Sequence, residues 1–243
     1  FAVSRRGRRQ VTFGGNIDIT AGGSLTVQGG DAGTEAEFAA ITDINGLQTF
    51  TTTGYYPNNW ANNFNAYAQI GHGGGYQIGN GIVNIDFVGD ITVNVGTDDD
   101  DTTDGSVSVL GGDGFGTLAL IGHGGADLIS VNGASGDVTV NAADNVTVKG
   151  GARFQNGEVD DADNLPGLNY ANYGQIGHGM LTSPSGSRRF GANGDVTVTG
   201  GGDILVQAGA GNTSHAMIGN GGNYGSNTGN PFGNDLSGDF TGD

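Results

Sequence analysis

Short runs of alternating apolar and polar residues recur along the chain, and glycine bounds most of them. Asp137-Val138-Thr139-Val140 and Asn145-Val146-Thr147-Val148 both carry the period of two that a strand with one buried face requires. Their residues are β-branched, which suits a pleated, half-buried surface. No segment carries a helical period.

The runs form an internal repeat. Ile70-Gly71-His72-Gly73-Gly74 returns as Ile121-Gly122-His123-Gly124-Gly125, as Ile176-Gly177-His178-Gly179 and as Ile218-Gly219-Asn220-Gly221-Gly222. Gly89-Asp90-Ile91-Thr92-Val93 returns at 136–140 and 194–198. An early variant is Gly15-Asn16-Ile17-Asp18-Ile19, and Gly238-Asp239-Phe240-Thr241 reads as an incomplete copy. A third motif follows the second each time, at Ser24-Leu25-Thr26-Val27, Ser106-Val107-Ser108-Val109, Asn145-Val146-Thr147-Val148 and Asp203-Ile204-Leu205-Val206. Three motifs in one order, about fifty residues apart, are the signature of a stacked repeat.

Three short strands per repeat predict an all-β chain, a parallel β-helix in which each repeat is one triangular coil. Residues 1–14 read as a basic arm and first strand. Residues 15–243 read as one solenoid of about four coils, at 15–88, 89–135, 136–193 and 194–237, with a partial coil at 238–243. The segments 89–93, 136–140 and 194–198 are expected to pair in parallel and in register. Val138 and Val140 then point inward with Val146 and Val148, while Thr139 and Thr147 point out. Ala68, Ile70 and His72 share one side of the third strand, against Gln69 and Gly71 on the other. Gly71, Gly122, Gly177 and Gly219 are expected to need positive φ or a close backbone approach. Insertions of unequal length, the longest from about Asp31 to Asn65, map to loops outside the coils.

Composition narrows the function classes. Glycine is 51 of 243 residues without a Gly-X-Y period, which excludes collagen. Cysteine is absent, so disulfides and thiolate metal sites are excluded. No apolar run reaches the length of a membrane-spanning helix. The 25 acidic residues against 8 basic ones give a formal net charge of -17. Such a surface repels phosphate backbones and anionic lipid, which argues against nucleic acid and membrane insertion. It suits an extracellular or cell-surface protein. The start at Phe1 without an apolar signal core reads as a processed protein or a segment of a longer one.

Several residue rows carry candidate chemistry. His72, His123, His178 and Asn220 should stack along one corner, as a metal row, a pH sensor or an internal polar ladder. Asn in the fourth place favours the ladder. Asp90, Asp137, Asp195 and Asp239 should form a second row, read as turn capping rather than Ca²⁺ bridging. Asp98, Asp99, Asp100, Asp101 and Asp104 are weak Ca²⁺ candidates, as is the group Asp160, Asp161 and Asp163. Both lack EF-hand spacing, and a solvated loop is the plainer reading. Gly111-Gly112-Asp113-Gly114-Phe115-Gly116 is a partial match to the calcium nonapeptide, with Gly116 where that pattern needs Asp. Tyr55, Tyr56 and Trp60 offer a sugar-stacking platform or, more plainly, packing for their insertion. No nucleophile–base–acid constellation stands out, so no catalytic residue is assigned. Arg5, Arg6, Arg8 and Arg9 concentrate positive charge at one end of the chain, and Asp235, Asp239 and Asp243 lie at the other.

The ordered Gly-Asp-Val-Thr-Val, Asn-Val-Thr-Val and Ala-Gln-Ile-Gly-His-Gly motifs resemble the repeat regions of large bacterial exoproteins of the filamentous haemagglutinin and autotransporter-adhesin class. The resemblance runs from Gly15 to Asp243 apart from the insertions. It implies a right-handed β-helix, export to the surface or medium, and a role in adhesion or matrix building. The expected function is that of a secreted structural protein, a subunit or segment of a filament or adhesin that self-associates head to tail. The alternatives are a β-helix that binds or cleaves carbohydrate, with surface glycans as partners, and a calcium-stabilised surface module. No cofactor is expected beyond possible Ca²⁺.

Overall fold

The computed structural model describes residues 9–30, 67–75, 83–96, 105–112, 117–126, 131–151, 172–181, 191–209, 214–221 and 240–241. Among them the chain is all-β, and no helix occurs. The first repeat contributes β1 (Arg9–Gly14), β2 (Ile17–Ala21), β3 (Leu25–Gln28), β4 (Tyr67–Ile70) and β5 (Gly73–Gly75). The second contributes β6 (Val83–Val88), β7 (Ile91–Val95), β8 (Val107–Leu110), β9 (Leu118–Ile121) and β10 (Gly124–Ala126). The third contributes β11 (Val131–Ser135), β12 (Val138–Ala142), β13 (Val146–Lys149), β14 (Tyr173–Ile176) and β15 (Gly179–Leu181). The fourth has β16 (Gly191–Asn193), β17 (Val196–Gly200), β18 (Ile204–Gln207) and β19 (Ala216–Ile218), and β20 (Phe240–Thr241) opens a fifth level.

Each strand pairs in parallel with its counterpart in the next repeat. The sheets therefore run β1-β6-β11-β16-β20, β2-β7-β12-β17, β3-β8-β13-β18, β4-β9-β14-β19 and β5-β10-β15. The expected register holds in the second sheet: Val138 lies opposite Ile91 on one side and Val196 on the other. Among the described residues the first three repeats each carry five strands instead of the expected three. The two extra sheets flank the motifs, and their strands carry glycine, asparagine and serine where strand propensity is poor. Backbone pairing with the levels above and below makes them strands despite that.

The apolar rows form one core. Ile91, Val93, Val138, Val140, Val146 and Val148 are fully buried, and Ile17, Ile70, Ile121 and Ile176 belong to the same cluster. Thr139 and Thr147 are only half-buried, as their outward position demands. Each fully buried Val or Ile contributes about 1.5–3 kcal/mol relative to exposure. The third strand of the motif set differs from expectation, because it is buried on both faces. Ala119 and Ile121 join the main core, while Leu118 and Leu120 pack with Tyr173 and Tyr67 in a second cluster on the other side.

The levels sit so close that some turns admit only glycine. Gly136 has φ 129°, and a Cβ there would collide with the Gly89 carbonyl oxygen of the level before. Gly177 has φ 126°, and a Cβ there would strike the Gly219 carbonyl.

Candidate functional site

The polar rows become ladders in which a side chain of one level bonds the backbone of the next. His72, His123 and His178 stack face to face, with ring centroids 4.8 and 4.9 Å apart. The backbone N–H of His72 donates to Nδ1 of His123 at 2.9 Å, and that of His123 donates to Nδ1 of His178 at 3.0 Å. The N–H of His178 donates to Oδ1 of Asn220 at 2.9 Å. Each Nδ1 that accepts is bare, so the proton sits on Nε2. From there it is donated to a turn carbonyl: Gly15 from His72 at 2.8 Å, Gly89 from His123 at 2.7 Å and Gly136 from His178 at 2.7 Å. Asn220 reproduces both bonds, using its amide to reach the Gly194 carbonyl at 2.7 Å. One row thereby ties the His corner to the turn before the second sheet at every level.

The second ladder runs in the opposite sense. Here the upper backbone donates to the lower side chain: Asp90 N–H to Asn16 Oδ1, Asp137 N–H to Asp90 Oδ1 and Asp195 N–H to Asp137 Oδ1, each at 3.0 Å. Asn16 heads the row, although its amide hides it from a search for aspartates. Phe240 pairs with Ala192 and Thr241 with Asn193. Asp235, Asp239 and Asp243 themselves lie outside the described residues.

A third ladder was not anticipated. Ser106 N–H donates to Ser24 Oγ at 3.2 Å, Asn145 N–H to Ser106 Oγ at 3.4 Å and Asp203 N–H to Asn145 Oδ1 at 2.7 Å. Ser24, Ser106 and Asn145 each supply the accepting oxygen, although two residue types share the task. Gln69 and Gln175 add clamps at alternate levels. The Gln175 amide reaches the carbonyls of His178, Gly219 and Gly221 at 3.0–3.2 Å. Gln69 does the same for His72, Gly122 and Gly124.

Burial decides the protonation of the His row. It pushes His123 from its ordinary 6.5 down to about 4. The Gly89 carbonyl opposes this, His178 and His72 add to it, and Asp90 opposes it weakly. Burial also lowers His178, against the Gly136 carbonyl and Asp137. A proton on Nδ1 would meet the backbone N–H that now donates there. The unfolded chain therefore binds protons that the folded chain refuses between about pH 6.5 and pH 4. The stability that neutral His123 contributes is whole above that window and is lost as pH falls through it, by about 3 kcal/mol. The urea midpoint of the wild type is expected to fall across this range. His123→Asn, which copies Asn220, should show a flatter decline; identical slopes would contradict the assignment.

On the outer side of the third motif strand, Tyr173 is fully buried and stacks on His215 at 4.8 Å. Its hydroxyl and Oε1 of Gln175 have no hydrogen-bond partner. Burial raises the Tyr173 hydroxyl well above the ordinary tyrosine range, so it stays protonated.

Among the described residues no group of three or more His, Asp, Glu or Cys is arranged to hold a metal ion. Asp98 to Asp101, Asp104, Asp160, Asp161, Asp163, Tyr55, Tyr56, Trp60 and Arg5, Arg6 and Arg8 lie outside the described residues, and Arg9 is the first residue of β1. Among the described residues no helix is long and apolar enough to cross a membrane.

The carboxy-terminal edge is the other notable feature. All four residues of β18 are exposed, with Ile204, Leu205 and Val206 at 48%, 44% and 45%. Ile204 and Val206 occupy the columns in which Val146 and Val148 are fully buried one level below. Among the described residues no strand pairs beyond β18, and these two core columns end there exposed.

No protein-family model, curated protein or solved structure matches the chain.

Proposed function

We propose that the chain is a right-handed parallel β-helix that serves as a secreted structural protein, a subunit or segment of an extracellular filament or surface adhesin. The exposed β18 edge carries this reading. Its apolar columns are those of the core, and another parallel level would bury them as Val146 and Val148 are buried. An unpaired strand edge is a template for further pairing. Joining one end of a subunit to the opposite end of the next is heterologous, and it propagates unless it closes into a ring. The polar ladders serve this role as staples between levels, each turning a side chain into a fixed acceptor or donor. The arginine-rich start and the acidic end of the sequence add charge complementarity. Negative-stain electron microscopy of the purified chain tests the reading. Thin unbranched fibres are expected; discrete particles at every concentration and ionic strength would overturn it. The carbohydrate alternative rests on Tyr55, Tyr56 and Trp60, outside the described residues.

A further inference from the structure

The Gln clamps fill one position at two levels and leave it to a different residue at the level between. The Gln69 amide sits among three carbonyl oxygens, those of His72 at 3.3 Å, Gly122 at 3.0 Å and Gly124 at 3.1 Å. The Gln175 amide sits in the same way among those of His178, Gly219 and Gly221. At the level between, the matching carbonyls are those of His123, Gly177 and Gly179. The residue in step with the two glutamines is Leu120, and its side chain has no hydrogen to donate.

His123, Gly177 and Gly179 are all buried. The His123 carbonyl accepts the Gly179 N–H, as its counterparts at the other levels accept theirs, and keeps a second lone pair. The N–H of His123 is no donor for the Gly177 carbonyl, because it goes to Nδ1 of His178. A second observation falls at the same place. The two buried side-chain polar atoms without a hydrogen-bond partner, the Tyr173 hydroxyl and Oε1 of Gln175, belong to residues two apart on β14, and so to one face of that strand. Oε1 of Gln175 lies beside the cradle, since a Cβ on Gly179 would come 2.3 Å from it.

Buried acceptors without donors are costly, and a cluster of neutral oxygens is the ligand set of a hard cation. Water has only two protons to give and cannot serve three carbonyls and a carboxamide oxygen together. Ca²⁺ sites draw on carboxylates, and this cradle has none; backbone carbonyls alone suit a monovalent ion. The net charge of -17 favours the approach of any cation. We propose that the carbonyls of His123, Gly177 and Gly179, with Oε1 of Gln175, bind a monovalent alkali cation. The ion takes at this level the place that a glutamine amide takes at the levels on either side.

The test is thermal unfolding of the full chain in sodium chloride, in potassium chloride and in tetramethylammonium chloride at one ionic strength. Wild type is expected to melt higher in an alkali salt, saturably, by about 3–6 °C at ten times the dissociation constant. Leu120→Gln supplies the missing amide and should remove the difference between salts. Leu120→Met has similar bulk and no N–H, and should keep it. Equal melting of the wild type in all three salts would overturn the proposal and leave the oxygens to water. An alkali response that Leu120→Gln retains would place the ion elsewhere and overturn the site. If Leu120→Gln does not fold, thallium(I), an alkali surrogate, locates the ion in crystals of the wild type. Anomalous density at the three carbonyls is expected, and density only elsewhere would overturn the assignment.

Discussion

Val138→Asp is expected to leave no cooperative fold at neutral pH. Val138 is fully buried in a column between Ile91 and Val196, with apolar neighbours on every core-facing row. An ionised carboxylate there has no partner, and its burial costs several kcal/mol even after the group shifts toward its neutral form. Added to the loss of the valine, this exceeds about 4–5 kcal/mol, a large share of the 5–15 kcal/mol that stabilises an ordinary domain. Thr139→Asp adds the same charge one residue away. Thr139 is half-buried on the outer side and lies between Thr92 and Thr197, so no like charge faces it directly. Its cost is expected to stay within about 1 kcal/mol. Circular dichroism melts of the two variants decide the matter. Equal loss in both would mean that inside and outside have been misassigned.

Gly136→Ala is expected to be nearly as damaging. The backbone there has φ 129°, which disfavours any side chain, and the new Cβ would strike the Gly89 carbonyl. That carbonyl accepts the His123 Nε2–H bond, and the Gly136 carbonyl accepts the one from His178. One methyl group thus pries apart two levels and unseats two rungs of the His ladder. Gly15→Ala is the control. Its φ is 142°, but a Cβ there meets nothing within 4 Å. It should carry only the backbone strain, about 1–3 kcal/mol, whereas Gly136→Ala should exceed about 4 kcal/mol. Urea midpoints that fall equally for both variants would show that close stacking is not the reason for glycine at this turn.

The stacking itself was legible because three motifs recur in order, and a buried face imposes a period of two. Val138, Val140, Val146 and Val148 could be placed inward from that period alone. The flanking sheets were less so. β11 reads Val131-Asn132-Gly133-Ala134-Ser135 and slips register against β6 between Val131 and Gly133, so no alternation survives there to be seen. The double-sided burial of β9 did have a sign in the sequence. Leu118-Ala119-Leu120-Ile121 is apolar at every position, which is how a strand covered on both faces reads.

The ladders divide along chemical lines. The His row stood out because one rare residue type recurs at one place. The row through Ser24, Ser106, Asn145 and Asp203 did not, because its function resides in an oxygen at a given height, which Ser and Asn both supply. The direction of each ladder is invisible in sequence, since it depends on which level's backbone donates. Gly238-Asp239-Phe240-Thr241 copies the letters of one motif, but the pairing of Phe240 with Ala192 puts Phe240 and Thr241 ahead of that motif's position.

The central claim is that parallel levels continue in register from one copy into the next. Electron cryo-microscopy of the assembled chain measures this directly through its helical rise. The motif sheets are four parallel strands deep, so in a head-to-tail stack density rungs about 4.8 Å apart should repeat by subunit about every 19 Å, all strands running parallel. Subunits joined carboxy-terminal edge to carboxy-terminal edge, or a rise that interrupts the rungs at each junction, would contradict it.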